Sequence, residues 1–143
     1  MSISGKCLCG AVSYFSEVNY QMSGNCHCVD CKRISGGAYA PMMFFPEDKL
    51  IVNGDLKYYS SPGGSGKMMH RGFCPNCGSQ MFAKIEALPG LIAVRAGTLD
   101  DLSRYDPKVD LFISHAPFWD VMDPLLPKFE KMAGPIATYG LIE

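Results

Sequence analysis

Cys74-Pro75-Asn76-Cys77-Gly78-Ser79 is the stretch on which the fold turns. Pro75, Asn76 and Gly78 are turn residues. In a tight turn, the two-residue gap lets both thiolates converge on one ion while backbone N–H groups point at the sulfurs, as in a zinc knuckle. Upstream, Cys7-Leu8-Cys9 carries its sulfurs at i and i+2, which in an extended segment face the same way. Cys26-His27-Cys28-Val29-Asp30-Cys31 adds three more thiols. The chain thus has seven cysteines in three clusters. An odd number would leave one thiol outside any disulfide framework. Met1-Ser2-Ile3-Ser4-Gly5 has neither a basic nor an apolar export signal, and no apolar run reaches the ~20 residues of a membrane span. A reduced, cytoplasmic chain is expected, where clustered cysteines are metal ligands or nucleophiles more often than bridges. Ligand spacing in all three clusters argues against cysteines that are merely buried.

Zinc takes four protein ligands in a structural site, and three plus an open position in a catalytic one. Seven thiols divide as one closed and one open site. Cys7, Cys9, Cys74 and Cys77 can close the first, leaving Cys26, Cys28 and Cys31 as a local three-sulfur site. Alternatively, Cys28, Cys31, Cys74 and Cys77 build a zinc ribbon, leaving Cys7, Cys9 and Cys26. The ribbon needs a loop well beyond the ~15–20 residues of the common pattern. The first partition keeps every cluster intact and is preferred.

The rest of the chain supplies a small β scaffold. Its 143 residues suit one compact domain spanning 1–143, and 48% apolar content makes it globular. A net charge of −1 excludes phosphate-driven nucleic-acid binding. Strands are expected at 11–16 and 38–45, with Pro41 confining the latter to an edge or a bulge. Leu50-Ile51-Val52, Asn53-Gly54 and residues 55–59 have the form of a hairpin on an Asn-Gly turn. Further strands are expected at 68–73, 80–85 and 91–95. Only the region of Phe129–Met132 hints at helix, and 114–130, with Pro117, Pro124 and Pro127, reads as an irregular wrap. Ser61-Pro62-Gly63-Gly64-Ser65-Gly66-Lys67 imitates a phosphate loop. However, Ser61 stands where the first glycine belongs and Met68 where Ser or Thr belongs, so it reads as a hairpin loop.

Gly5-Lys6-Cys7-Leu8-Cys9-Gly10-Ala11-Val12, Cys26-His27-Cys28-Val29-Asp30-Cys31-Lys32-Arg33-Ile34-Ser35-Gly36 and Arg71-Gly72-Phe73-Cys74-Pro75-Asn76-Cys77-Gly78 resemble the glutathione-dependent formaldehyde-activating enzyme family, which includes centromere protein V-like proteins. The likeness extends through His115-Ala116-Pro117-Phe118-Trp119 to Phe129. It implies an Mss4-like, mainly β fold of small packed antiparallel sheets with zinc-binding knuckles and little helix. It also implies a structural zinc on Cys7, Cys9, Cys74 and Cys77, and a catalytic zinc on Cys26, Cys28 and Cys31; weak binding is expected at the open site, with its three protein ligands. The implied activity is that of a carbon–sulfur lyase resembling S-(hydroxymethyl)glutathione synthase. The implied partners are glutathione or a similar thiol and an aldehyde.

An open three-thiolate zinc can bind an incoming thiol as thiolate and polarise a carbonyl, which suits that reaction. Other candidates carry two readings each. His27 is read as an exposed neighbour of two ligands, with proton transfer as its functional alternative. Asp30 is read as solvated. Lys32, Arg33 and Arg71 are either a solvated face or cations offsetting the thiolates and attracting carboxylates. His115 and Trp119 could wall a pocket, but a lone Trp among prolines is more often core. The nine methionines read as core filler. Two rival functions remain from the residues: a non-enzymatic zinc-binding module, and a thiol redox or metal sensor using Cys26, Cys28 and Cys31.

Overall fold

A computed structural model describes residues 2–132. In chain order, the elements are β1 (Ile3–Lys6), β2 (Ser13–Ser16), β3 (Met22–Cys26), α1 (Val29–Ser35), β4 (Ala40–Pro46), β5 (Ile51–Asn53), β6 (Lys57–Pro62), β7 (Met68–Phe73), β8 (Gln80–Ile85), β9 (Leu91–Arg95) and β10 (Asp110–Leu111). Strands β1-β2-β5 form a three-stranded sheet, and β10-β3-β4-β9-β8-β7-β6 a seven-stranded one. All pairings are antiparallel except β10 with β3. The expected mainly β architecture is therefore present, with one short α-helix among the described residues.

Two cores follow from the period-2 geometry of strands. In β4, Met43 and Phe45 join Val12, Tyr14, Phe82 and Val94 in a core that also includes Ile3 of the small sheet. Tyr14 meets Phe82 edge-on at 5.7 Å, and Tyr20 meets Phe45 at 5.9 Å. The alternate β4 residues, Met42 and Phe44, enter a second core with Met22, Cys26, Cys31, Ala83, Ala93, Val109 and Leu111. A central strand buried on both faces explains the unbroken apolar run Met42-Met43-Phe44-Phe45.

Four local expectations are corrected. Pro41 lies on an interior strand, since β4 sits between β3 and β9. It costs no ladder bond: Asn25 opposite it donates to Val109 O instead (2.9 Å), and pairing with β9 starts only at Met42↔Arg95. The Asn53-Gly54 hairpin does not form, because β5 pairs with β2 while β6 pairs with β7 in the other sheet. Gly54 carries the chain between the sheets at φ 99°, where a Cβ would lie 2.1 Å from Ala11 O. Residues 129–132 are not helical. The Phe129 N–H instead donates to Asp110 O (3.0 Å), tying the tail to β10. The helix is α1, directly after Cys28, where three thiols had concealed a helical segment. The strands at 68–73, 80–85 and 91–95 match their expected bounds, and 63–67 is a hairpin loop between β6 and β7.

Candidate metal centre

The first cysteine group forms where two chain turns meet. Cys7 and Cys9 follow β1, and Cys74 and Cys77 follow β7. Backbone bonds pin each turn: Cys7 N–H to Val12 O (2.9 Å), and Gly78 N–H to Cys74 O (2.8 Å). The Leu8 N–H donates to Ser79 Oγ (3.0 Å), which links the two turns. Cys7 and Cys9 sulfurs are 3.6 Å apart, and those of Cys9 and Cys74 3.7 Å. A tetrahedron with Zn–S bonds of about 2.3 Å has edges of about 3.8 Å, so the donor set fits zinc. All four sulfurs lie within 4.8 Å of one another. The Val12 N–H donates to Cys7 Sγ (3.3 Å). Hydrogen bonds from Ser79 hold the Cys77 thiol down at about 5, well below the ordinary thiol range.

The second group is local. Cys26 ends β3, Cys28 caps α1 and Cys31 lies in its first turn. The Cys31 N–H donates to Cys28 Sγ (3.3 Å), so the side chain that starts the helix is also a candidate ligand. The three sulfurs lie within 4.8 Å of one another, and no fourth Cys, His, Asp or Glu joins them among the described residues. Cys26 and Cys31 are buried, while Cys28 is half-buried. Contact with Cys26 and then Cys31 holds the Cys28 thiol down at about 2, and contact with Cys28 pushes Cys26 up. Three thiols so close together share their protons. Both groups can therefore hold a metal ion.

His27 overturns its exposed reading. It is fully buried, with Nδ1 2.5 Å from Asp120 Oδ2 and Nε2 2.9 Å from Asp110 Oδ1. Both ring nitrogens thus face carboxylate oxygens. Asp110 also accepts from Asn25 Nδ2 (3.3 Å) and Lys128 Nζ (3.1 Å). This buried network clamps the loop between Cys26 and Cys28 to the C-terminal wrap. No local signal reveals it, because its carboxylates stand 83 and 93 residues away in sequence.

A cavity of about 740 Å³ adjoins the second group and is lined by Cys26, Cys28 and Cys31 together with residues of β3, β4, β7 and the wrap. Arg71 lines it and is only 3% exposed, which removes its solvated reading. Arg95 is likewise buried, its charge lying near Cys31, and burial pushes its pKa down. The Asp30 reading as an exposed residue agrees with the structure, and it lines the cavity with His115. Lys32 Nζ donates to His115 O and holds that segment to α1. Trp119 is 57% exposed rather than core.

The model of the family described as "Glutathione-dependent formaldehyde-activating enzyme" matches residues 2–115. The chain belongs to the glutathione-dependent formaldehyde-activating enzyme family. This match stops short of the likeness noted in the tail through Phe129. No curated protein matches the chain by sequence. Among solved structures, a Rhodobacter sphaeroides protein, a Northeast Structural Genomics target, aligns with a TM-score of 0.52 and 23% identity. The alignment covers 68% of this chain and 87% of that one, and at this identity the similarity is one of fold. In this family member, no helix among the described residues is long and apolar enough to cross a membrane.

Proposed function

We propose that this chain is a zinc-dependent carbon–sulfur lyase of the S-(hydroxymethyl)glutathione synthase type, joining a thiol to an aldehyde and reversing that step. Cys7, Cys9, Cys74 and Cys77 would hold a structural zinc, and Cys26, Cys28 and Cys31 a second one. The observation that carries this reading is the three-sulfur set, which has no fourth ligand among the described residues and borders a cavity. Bound there, zinc supplies a thiolate at neutral pH and a Lewis acid for the carbonyl oxygen.

The chain's own residues supply placement. Cys26, Cys28 and Cys31 fix where sulfur and aldehyde meet, a proximity effect that can account for much of the acceleration. Arg95 offsets the negative charge of three thiolates in a site of low dielectric. The buried clamp of His27 by Asp110 and Asp120 keeps the ligand-bearing loop in place. The reaction balances: the thiol S–H is broken, sulfur bonds to the carbonyl carbon, and a proton ends on the former carbonyl oxygen. The reverse step breaks the C–S bond. The family description supports formaldehyde and glutathione as the starting substrates to assay.

The test is a zinc count on variants. Cys28→Ser is expected to lower zinc from two ions to one, abolish turnover and keep a cooperative melt, whereas Cys74→Ser is expected to unfold the chain. Full activity in Cys28→Ser, or unfolding in both variants, would overturn the assignment.

A further inference from the structure

The face of the seven-stranded sheet below the cavity has an uneven profile. Register places Met22, Phe44, Ala93, Ala83 and Arg71 in one row across β3, β4, β9, β8 and β7. Large apolar side chains stand at one end, two alanines lie in the middle, and a guanidinium stands at the other end. Small residues leave space above the middle of a sheet that larger ones would fill. At the edge of this sheet, Val109, whose carbonyl accepts from the Asn25 N–H (2.9 Å), approaches Gly24 so closely that a Cβ there would lie 2.8 Å from Val109 Cγ1. Met22, Phe44, Met69, Val109 and Leu111 make the cavity lining largely apolar.

Arg71 is out of keeping with those walls. Its Nη1 donates to Ser61 Oγ (3.1 Å), and among the described residues its Nη2 meets only the Met69 thioether, at 3.6 Å. Nε has no partner, and no carboxylate pairs with the group among the described residues. A buried guanidinium without a counter-ion is strongly unfavourable, and its planar fork matches a carboxylate.

Formaldehyde is far smaller than a cavity of about 740 Å³, which falls in the range of drug-sized ligand sites. Glutathione's peptide groups and two carboxylates would need several buried polar partners, whereas the lining's polar side chains other than Arg71 are exposed (Asp30, Ser65, His115 and Lys131) or already bonded, as Ser23 is to Asp106 O. Resting on the lyase reading, we propose that the aldehyde handled here is an apolar organic carboxylate. Its reacting carbon sits at Cys26, Cys28 and Cys31, its hydrocarbon body lies against Met22, Phe44 and Val109, and its carboxylate pairs with Arg71. The step is the same addition: the thiol loses its S–H proton, the C–S bond forms at the aldehyde carbon, and the carbonyl oxygen gains a proton. The carboxylate takes no part in bond changes.

Calorimetry on the zinc-loaded full chain tests this with octanoate and octanol, ligands of equal chain length that cannot react. Octanoate is expected to bind at least about tenfold more tightly than octanol. Arg71→Met is expected to remove that advantage and leave octanol binding intact, while Arg71→Lys restores part of it. The comparison on the wild-type chain stands even where a variant does not fold. Equal binding of the two ligands, no binding of either, or an advantage that survives in folded Arg71→Met would overturn the proposal. Turnover separates it from the lyase reading. Glutathione addition to formaldehyde without octanoate binding leaves the lyase and removes the carboxylate seat. Arg71-dependent octanoate binding without turnover of formaldehyde or an eight-carbon aldehyde-acid keeps the seat and removes the lyase.

Discussion

Replacing Asp110 with alanine removes the hub that joins β3, the three-cysteine loop and the wrap. Its side chain is 1% exposed and accepts from His27 Nε2 at 2.9 Å, Lys128 Nζ at 3.1 Å and Asn25 Nδ2 at 3.3 Å. Deleting Asp110 leaves the His27 ring and the Asn25 amide buried without this acceptor, at about 1–3 kcal/mol for each group, or about 3–5 kcal/mol in all. The Lys128 contribution is the smallest, since that side chain is 27% exposed and partly screened. The His27 and Asn25 contacts carry most of the expected loss. At roughly 2–4 °C per kcal/mol for a chain of about this size, melting should fall by roughly 6–20 °C. Asp110→Asn keeps one acceptor oxygen and should lose about half as much. The assay is thermal and urea unfolding followed by circular dichroism, with both proteins fully zinc-loaded so that ligand linkage is equal. Asp106→Ala, which removes an exposed pair with Lys108, provides the reference and should change stability by less than about 1 kcal/mol. If Asp110→Ala costs no more than Asp106→Ala, the buried clamp contributes nothing to stability and the argument fails.

Other substitutions test separate parts of the fold. Phe82→Ala empties a fully buried position between the sheets and should cost about 3–5 kcal/mol by urea midpoint; a loss below about 1 kcal/mol would contradict the packing described. Gly54→Ala forces a Cβ toward Ala11 O at φ 99° and should cost about 1–3 kcal/mol in the same assay, whereas an unchanged midpoint would mean that the crossover is not strained. Leu8→Ser alters a residue 89% exposed between two candidate ligands, and should leave the melt within about 0.5 kcal/mol of wild type and the zinc count unchanged.

The parts legible in sequence were those set by short spacing. Cys74 to Cys77 and Cys26 to Cys31 are close enough in the chain for local turn geometry to gather the sulfurs, and the strands at 68–73, 80–85 and 91–95 carry their own β-rich composition. The hairpin at Asn53-Gly54 misled because turn propensity describes the bend but not which sheet receives the next strand. Pro41 misled because the rule against interior proline concerns a lost ladder bond, and here β9 begins one residue too late to lose one. His27 and Arg71 escape a reading from sequence for a shared reason. Burial of a polar side chain depends on what distant segments lay over it, and Asp110, Asp120 and Ser61 give no local hint that they are partners. The charge arithmetic could not find Arg71 or Arg95 either, since a net balance says nothing about where cations are enclosed.

The single parallel pairing, β10 alongside β3, has a bearing on how the chain assembles during synthesis. The four cysteines of the first group and the turn residues that link them are all present once Ser79 has emerged from the ribosome. Asp110, Asp120 and Phe129, which lock the second group's loop, emerge later. The chain leaves the ribosome from its N-terminus onward. A growing chain can therefore gather its closed cysteine cluster while the open one still lacks its clamp, which orders metal acquisition in time. A chain stalled with Ser79 outside the ribosome and Asp110 still inside it should already retain one metal ion, and the second should wait for the wrap.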